Sequence, residues 1–113
     1  MAWTKAPPEH VELMDRVMLQ RPGVVKRPMF GCPAYFVNGN MVAGAHQENL
    51  ILRLSPEDRA ELLAEPGAAP FTPMPGRTMK EYVAVPAAVY ESNEAFAPWI
   101  KKALEYTASL PAK

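Results

Sequence analysis

The stretch Ala34-Tyr35-Phe36-Val37-Asn38-Gly39-Asn40-Met41-Val42-Ala43 decides how this chain folds. Asn38-Gly39 is the dipeptide that best tolerates the two positive-φ positions of a type I′ turn, and the apolar runs on either side make it the loop of an antiparallel hairpin. A two-residue loop sets Val37 opposite Asn40, Phe36 opposite Met41 and Tyr35 opposite Val42. One face of the hairpin then carries Phe36 and Met41. The other carries Tyr35, Val37 and Val42, apolar enough to need cover from the proline-rich segment downstream or from a second copy of the chain.

Working outward, Asn49 to Leu54 reads as a further strand, with Leu50, Leu52 and Leu54 on one face and Ile51 and Arg53 on the other. Upstream, Val24-Val25-Lys26-Arg27-Pro28-Met29-Phe30 begins extended. Pro28 cannot donate to a central ladder, so this is an edge or interrupted strand, broken by Gly31-Cys32-Pro33. Before it, Pro7-Pro8-Glu9 suits a helix start, and Val11, Met14 and Met18 mark the apolar stripe of a helix over 8–20 that ends at Arg21-Pro22-Gly23.

Downstream, Ser55-Pro56-Glu57-Asp58 combines an N-cap serine, a proline at the first helical position and two acids in the first turn, predicting a short helix to about Ala64. Residues 65–76 form a proline-rich connection lying over the sheet edge or lidding a groove. Met79 to Val85 is the last strand, stopped by Pro86. The final helix has cap candidates Ser92 and Asn93 and a buried face of Phe96, Ile100, Ala103 and Thr107. Pro98 lies past the positions a helix accepts easily, so either the first turn is separate or the helix starts near Pro98. The order α-β-β-β(β)-α-β-β-α predicts an α+β two-layer sandwich whose mainly antiparallel sheet is covered by helices.

A chain of 113 residues is the size of one domain, and an apolar fraction of 49% gives it a core. Twelve basic and twelve acidic residues cancel, so no global field draws in nucleic acid or an anionic membrane. The single cysteine excludes an internal disulfide and fits a reducing compartment. With no apolar run near the length of a membrane span and no apolar leader, a cytoplasmic protein is expected.

Arg27-Pro28-Met29-Phe30-Gly31, Asn38-Gly39-Asn40-Met41, Leu50 to Leu54, Ala69-Pro70-Phe71 and Lys80 to Pro86 resemble, in order and spacing, the N-terminal domain of the TfoX/Sxy family across about residues 24–90. The resemblance implies a sheet covered by helices and a single domain of this type over 1–113. The family name comes from regulators of natural competence. Its longer members carry a second, helical C-terminal domain for which this chain has no room, so a stand-alone domain is expected. The family offers no agreed catalytic motif, and Gly31-Cys32-Pro33 departs from its glycine-rich pattern.

The residues that could carry chemistry are few. Cys32 stands at the mouth of the hairpin, and nucleophilic use would need a base. His10 sits near a helix start, where the dipole disfavours its charged form, so His46, in the bend after the hairpin, is the better partner. Against this stands the habit of free cysteines to be buried and inert. Arg53, Lys80 and Tyr82 form a second group, with Lys80 and Tyr82 on one strand face and Arg53 on a neighbouring strand, able to hold an anion. The plainer reading is a wet sheet face with solvated charges. No metal-ligand spacing is present, and neither a metal nor a cofactor is expected.

Arg21, Lys26 and Arg27, with Arg77 and Lys80, are the only footprint for nucleic acid, which neutral totals disfavour. The leading expectation is a non-enzymatic regulatory or protein-interaction module, with homodimerisation through an apolar hairpin face. The alternatives are a small-ligand-binding domain or minor enzyme using Cys32 and His46, and a weakly DNA-associated regulator.

Overall fold

The computed structural model describes residues 7–29, 32–46, 49–74 and 76–112. Its elements are α1 (Pro8–Met18), β1 (Val24–Met29), β2 (Cys32–Val37), β3 (Asn40–His46), β4 (Asn49–Arg53), α2 (Pro56–Leu63), β5 (Ala69–Met74), β6 (Arg77–Val85), α3 (Ala87–Tyr90) and α4 (Asn93–Ala108). The strands make one six-stranded sheet in the order β1-β2-β3-β4-β6-β5, with every neighbouring pair antiparallel. This is the α+β arrangement expected, with helices packed on the sheet.

The turn forms as its residues dictate: Asn38 and Gly39 have φ of 53° and 81°, the left-handed pair of a type I′ turn. Val37 pairs with Asn40 and Phe36 with Met41, but Tyr35 then pairs with Ala43 rather than Val42, across a register shift between Tyr35 and Phe36. This bulge corrects the expected register. It has a physical reason, because an extra residue lets Val42 and Ala43 both enter the helix-side core, where both are fully buried. It also reverses the faces of the rest of β3, turning Ala45 toward the helices and His46 away from them.

Helices α1 and α4 cover one face of the sheet. Met14 and Met18 from α1 and Phe96, Ile100 and Ala103 from α4 meet Tyr35, Val42, Leu50, Leu52 and Leu54 in a single apolar core. Each such side chain contributes about 1.5–3 kcal/mol when fully buried. The face of Tyr35, Val37 and Val42 is therefore covered by the chain's own helices. That corrects the expectation of cover by the proline-rich segment or a second subunit.

The opposite face carries a smaller cluster: Ala34, Met41, Ile51, Phe71 and Tyr82, with Phe36 and Met79 against them. The alternation read from β4 is observed, the leucines on the helix side and Ile51 on the other.

Residues 69–74 are strand β5, not a connection. An outermost strand forms its ladder on one side only, so Pro70 and Pro73 are tolerated there. β1 is the other edge, as Pro28 required. α4 is continuous from Asn93 through Pro98, correcting the expected break. Ser92 Oγ caps it by accepting from Ala95 N at 3.2 Å, and Pro98 lies on the exposed side of the helix. α1 stops at Met18, and α3 is a short turn of helix with no counterpart in the expected order. Phe30 and Gly31, assigned to the strand end and its break, lie outside the described residues, as does the N-terminal stretch 1–6.

Candidate functional site

The second sheet face gathers most of the residues singled out in the sequence. Arg53 pairs with Tyr82 across β4 and β6, and its guanidinium lies 5.5 Å from the centroid of the Tyr82 ring. Arg53 Nε and Nη2 donate to Glu81 Oε1 at 2.8 and 2.5 Å, while Tyr106 of α4 donates its hydroxyl to Glu81 Oε2 at 3.1 Å. Burial pushes the Glu81 carboxyl up, but the hydrogen bonds from Arg53 and Tyr106 and the charges of Arg53 and Arg59 outweigh it and hold the group below its ordinary value. Arg53 is thus already paired with a carboxylate of the protein itself.

Tyr82 is buried, and its hydroxyl donates to the Met41 carbonyl at 3.1 Å. Burial raises its pKa, so it acts as a neutral donor. Lys80 is exposed, and its carbonyl accepts from Arg59 Nη1 of α2 at 2.6 Å. Between β5 and β6 the register jumps from Pro70↔Val83 to Phe71↔Met79. Plain alternation therefore fails here, and it is Met79 that packs with Tyr82 on the apolar cluster. Glu81, Arg59 and Tyr106 were not singled out in the sequence, because they come from three elements with no shared spacing.

Cys32 and His46 stand at the open ends of β2 and β3. The register between those strands runs to Ala34↔Gly44, and two residues beyond, Cys32 and His46 keep that same second face. Cys32 is 2% exposed and His46 4%. The imidazole meets the Phe71 ring edge-on, with centroids 5.2 Å apart, and burial lowers its pKa. His46 is the last residue of β3, paired with Asn49 of β4, rather than part of a bend. Cys32 borders a pocket of about 250 Å³ together with Lys26, Arg27, Pro28 and Pro33. Among the described residues, no three of His, Cys, Asp and Glu converge as metal ligands would.

A larger cleft lies on the helix side, about 660 Å³ between the start of α1 and the α3–α4 corner, where His10 packs edge-on to Tyr90 at 5.2 Å. It adjoins a cavity of about 350 Å³ between α1 and α4, with Arg16 and Asn93 common to both. Helices distant in the chain enclose it, so no local motif announces it.

The basic residues divide. Lys26 and Arg27 lie on β1 and Lys80 on β6, four strand positions away, or roughly 19 Å at ordinary strand spacing. Lys26 is further bound to Asp15 on the helix side at 3.0 Å. No helix among the described residues is long and apolar enough to cross a membrane.

A family model, that of the TfoX N-terminal domain, matches residues 16–107. No curated protein matches the chain.

Proposed function

The chain belongs to the TfoX N-terminal domain family, and from that premise we propose that it is a single-domain, non-enzymatic regulatory module that works by contacting a protein partner in a reducing cytoplasmic compartment. One observation carries this reading. The groups on the second sheet face that could do chemistry are turned inward or already matched, Arg53 by Glu81 and Tyr82 by Met41, with Cys32 and His46 buried. What that face offers to solvent is its rim, Val25, Arg27 and the half-buried Phe36, and beside it on β6 stands the exposed Lys80. A rim of mixed apolar and charged groups around a sealed centre suits recognition better than turnover.

The test is proximity labelling in cells with the chain fused to a biotin ligase, comparing wild type, Cys32→Ala and the rim variant Arg27→Glu/Lys80→Glu. The labelled partner set is expected to survive Cys32→Ala and to change in the rim variant. Loss of the set with Cys32→Ala alone, the rim variant behaving as wild type, would overturn the module in favour of a site built on Cys32 and His46.

A small-ligand reading retains one favourable observation, the 250 Å³ pocket against Cys32. The DNA reading has none, since its basic residues occupy separated strands.

A further inference from the structure

The geometry points to a binding site for a small amphipathic carboxylate, an acid group on an apolar ring or chain, in the cavity of about 350 Å³ between α1 and α4, with Arg16 and Arg21 holding the carboxylate. The site lies on the helix side, away from the rim of the second face and from the pocket against Cys32. It therefore goes beyond the reading of the chain as a protein-interaction module and stands or falls apart from it.

The cavity joins two chemistries. Its apolar wall is Val17 of α1 and Ala97 of α4, set over the core side chains Phe96 and Ile100. Its charged lining is Arg16 and Arg21, and no carboxylate among the described residues borders it. Neither arginine has an ion pair or a side-chain hydrogen bond among the described residues. The carboxylate of Asp15, next to Arg16 in the chain, is already taken by Tyr35 and Lys26.

Arg21 is the more telling of the two. It is half-buried in the link from α1 to β1, with its N–H donating to the Met18 carbonyl at 3.1 Å and its own carbonyl accepting from Val24 N at 3.4 Å. A guanidinium carries five donors in a fixed fork, so one anchored at its backbone and partly withdrawn from water calls for an acceptor. The C-terminal end of α1 favours cations at both positions, which accounts for their charge but supplies no acceptor matched to the fork. A carboxylate is matched, through two parallel N–H···O bonds.

Charge and size select the ligand. The adjoining cleft shares Arg16 and Asn93 but is bordered by Glu9, Glu12 and Glu91, so the potential changes sign along the groove and an anion is turned toward Arg21. A volume of about 350 Å³ falls at the lower end of small-ligand sites. An aspartate or glutamate side chain of a partner protein would reach the arginines and leave Val17 and Ala97 wet. A ring or chain on the same carboxylate covers them.

The probe is 2-naphthoate, titrated into the isotope-labelled full chain and followed by amide NMR. Beside it run 2-naphthamide, which keeps the rings without the charge, and acetate, which keeps the charge without the rings. Saturable shifts centred on residues 16–21 and 93–100 are expected with naphthoate, and binding of either control should be about tenfold weaker or more. Arg16→Gln/Arg21→Gln should bind naphthoate no better than naphthamide. Ala97→Leu keeps both charges and a strong helix former but fills the cavity, and it should abolish binding. Unchanged thermal unfolding of each variant would show that the fold is intact. Equal binding of naphthamide or acetate, shifts centred on the Cys32 pocket, no saturable shift, or wild-type affinity in the double variant would each overturn the proposal. None of these outcomes involves the rim, so the dependence of the partner set on Arg27 and Lys80 tests the module reading separately.

Discussion

The Tyr35 hydroxyl donates to Asp15 Oδ1 at 2.6 Å, fastening the middle of β2 to the side of α1. Tyr35 is fully buried, and burial first, then the hydrogen bond and charge of Asp15, push its pKa up, so the proton stays on the phenol and the bond persists at all working pH values. Asp15 also holds Lys26 at 3.0 Å, so one carboxylate links α1 to both outer strands of that side. Tyr35→Phe keeps the ring in the core and removes only the donor. It is expected to cost about 1–2 kcal/mol in urea unfolding, the value of a hydrogen bond to a charged group partly open to water. Combined with Asp15→Ala the losses should be less than additive, and full additivity would show that the contact contributes nothing.

Pro98 is the sixth residue of α4 and lies on its exposed side. Proline there withholds the N–H that the Glu94 carbonyl would accept, and its ring crowds that carbonyl. Pro98→Ala restores the bond without entering the core, and unfolding stability should rise by about 1–3 kcal/mol. A fall in the urea midpoint would mean that α4 does not run unbroken through this position.

These two residues mark where the fold was legible in the sequence and where it was not. Signals of short range survived: the Asn38-Gly39 turn, the Ser55 and Ser92 caps, the split of Leu50, Leu52 and Leu54 from Ile51, and the stripe of Phe96, Ile100, Ala103 and Thr107. Each follows from a period or a cap set within a few residues. The bulge that admits both Val42 and Ala43 to the core is a tertiary decision, since only the helices overhead reward it. Pro70 and Pro73 read as a connection because propensity records what proline forbids, and the outer position that removes the prohibition is a fact of sheet order. At the candidate site, the nearness of Arg53 and Tyr82 was legible from facing strands. Its consequence was not, because Glu81 and Tyr106, which neutralise Arg53 and complete the network, meet it only in three dimensions.

That network sets an acid dependence. The folded Glu81 carboxyl titrates below its ordinary value of 4.5, so the unfolded chain takes up its proton first as the pH falls. The stabilisation is complete above about pH 4.5 and is lost as the pH drops from there through the folded value. Glu81 is partly open to solvent, so the effect is screened and amounts to about 1 kcal/mol or less. Glu81→Gln should lower stability at pH 7 and flatten the fall in stability that sets in below about pH 4.5. Parallel curves for variant and wild type would dissociate Glu81 from Arg53.

His46 gives a second pH dependence at a different place. Burial lowers its pKa from 6.5, so between that value and the folded one the unfolded chain is protonated while the folded chain is not. Stability is therefore fully present above about pH 6.5 and declines as the pH falls below it. Replacing His46 by Phe, which keeps a ring against Phe71, should remove the decline that sets in below about pH 6.5 and leave the lower step of Glu81 in place. A step that persists in the variant would belong to another group.

The remaining question at this face is whether Cys32 ever reaches solvent. At 2% exposure its sulfur is shielded on the second face, and the neighbouring pocket touches it without uncovering it. Alkylation must then wait for a local opening of the β1–β2 end, which makes the observed rate the free-thiol rate scaled by the open population. Iodoacetamide should label the native chain about a hundredfold more slowly than a small free thiol across pH 6 to 9, and at the free-thiol rate once the chain is unfolded in urea. Arg27→Glu, on the exposed edge, should not change this protection. A native rate equal to or above that of a free thiol, rising through an inflection below pH 7 that His46→Phe abolishes, would instead reveal an activated thiolate and return the second sheet face to chemistry.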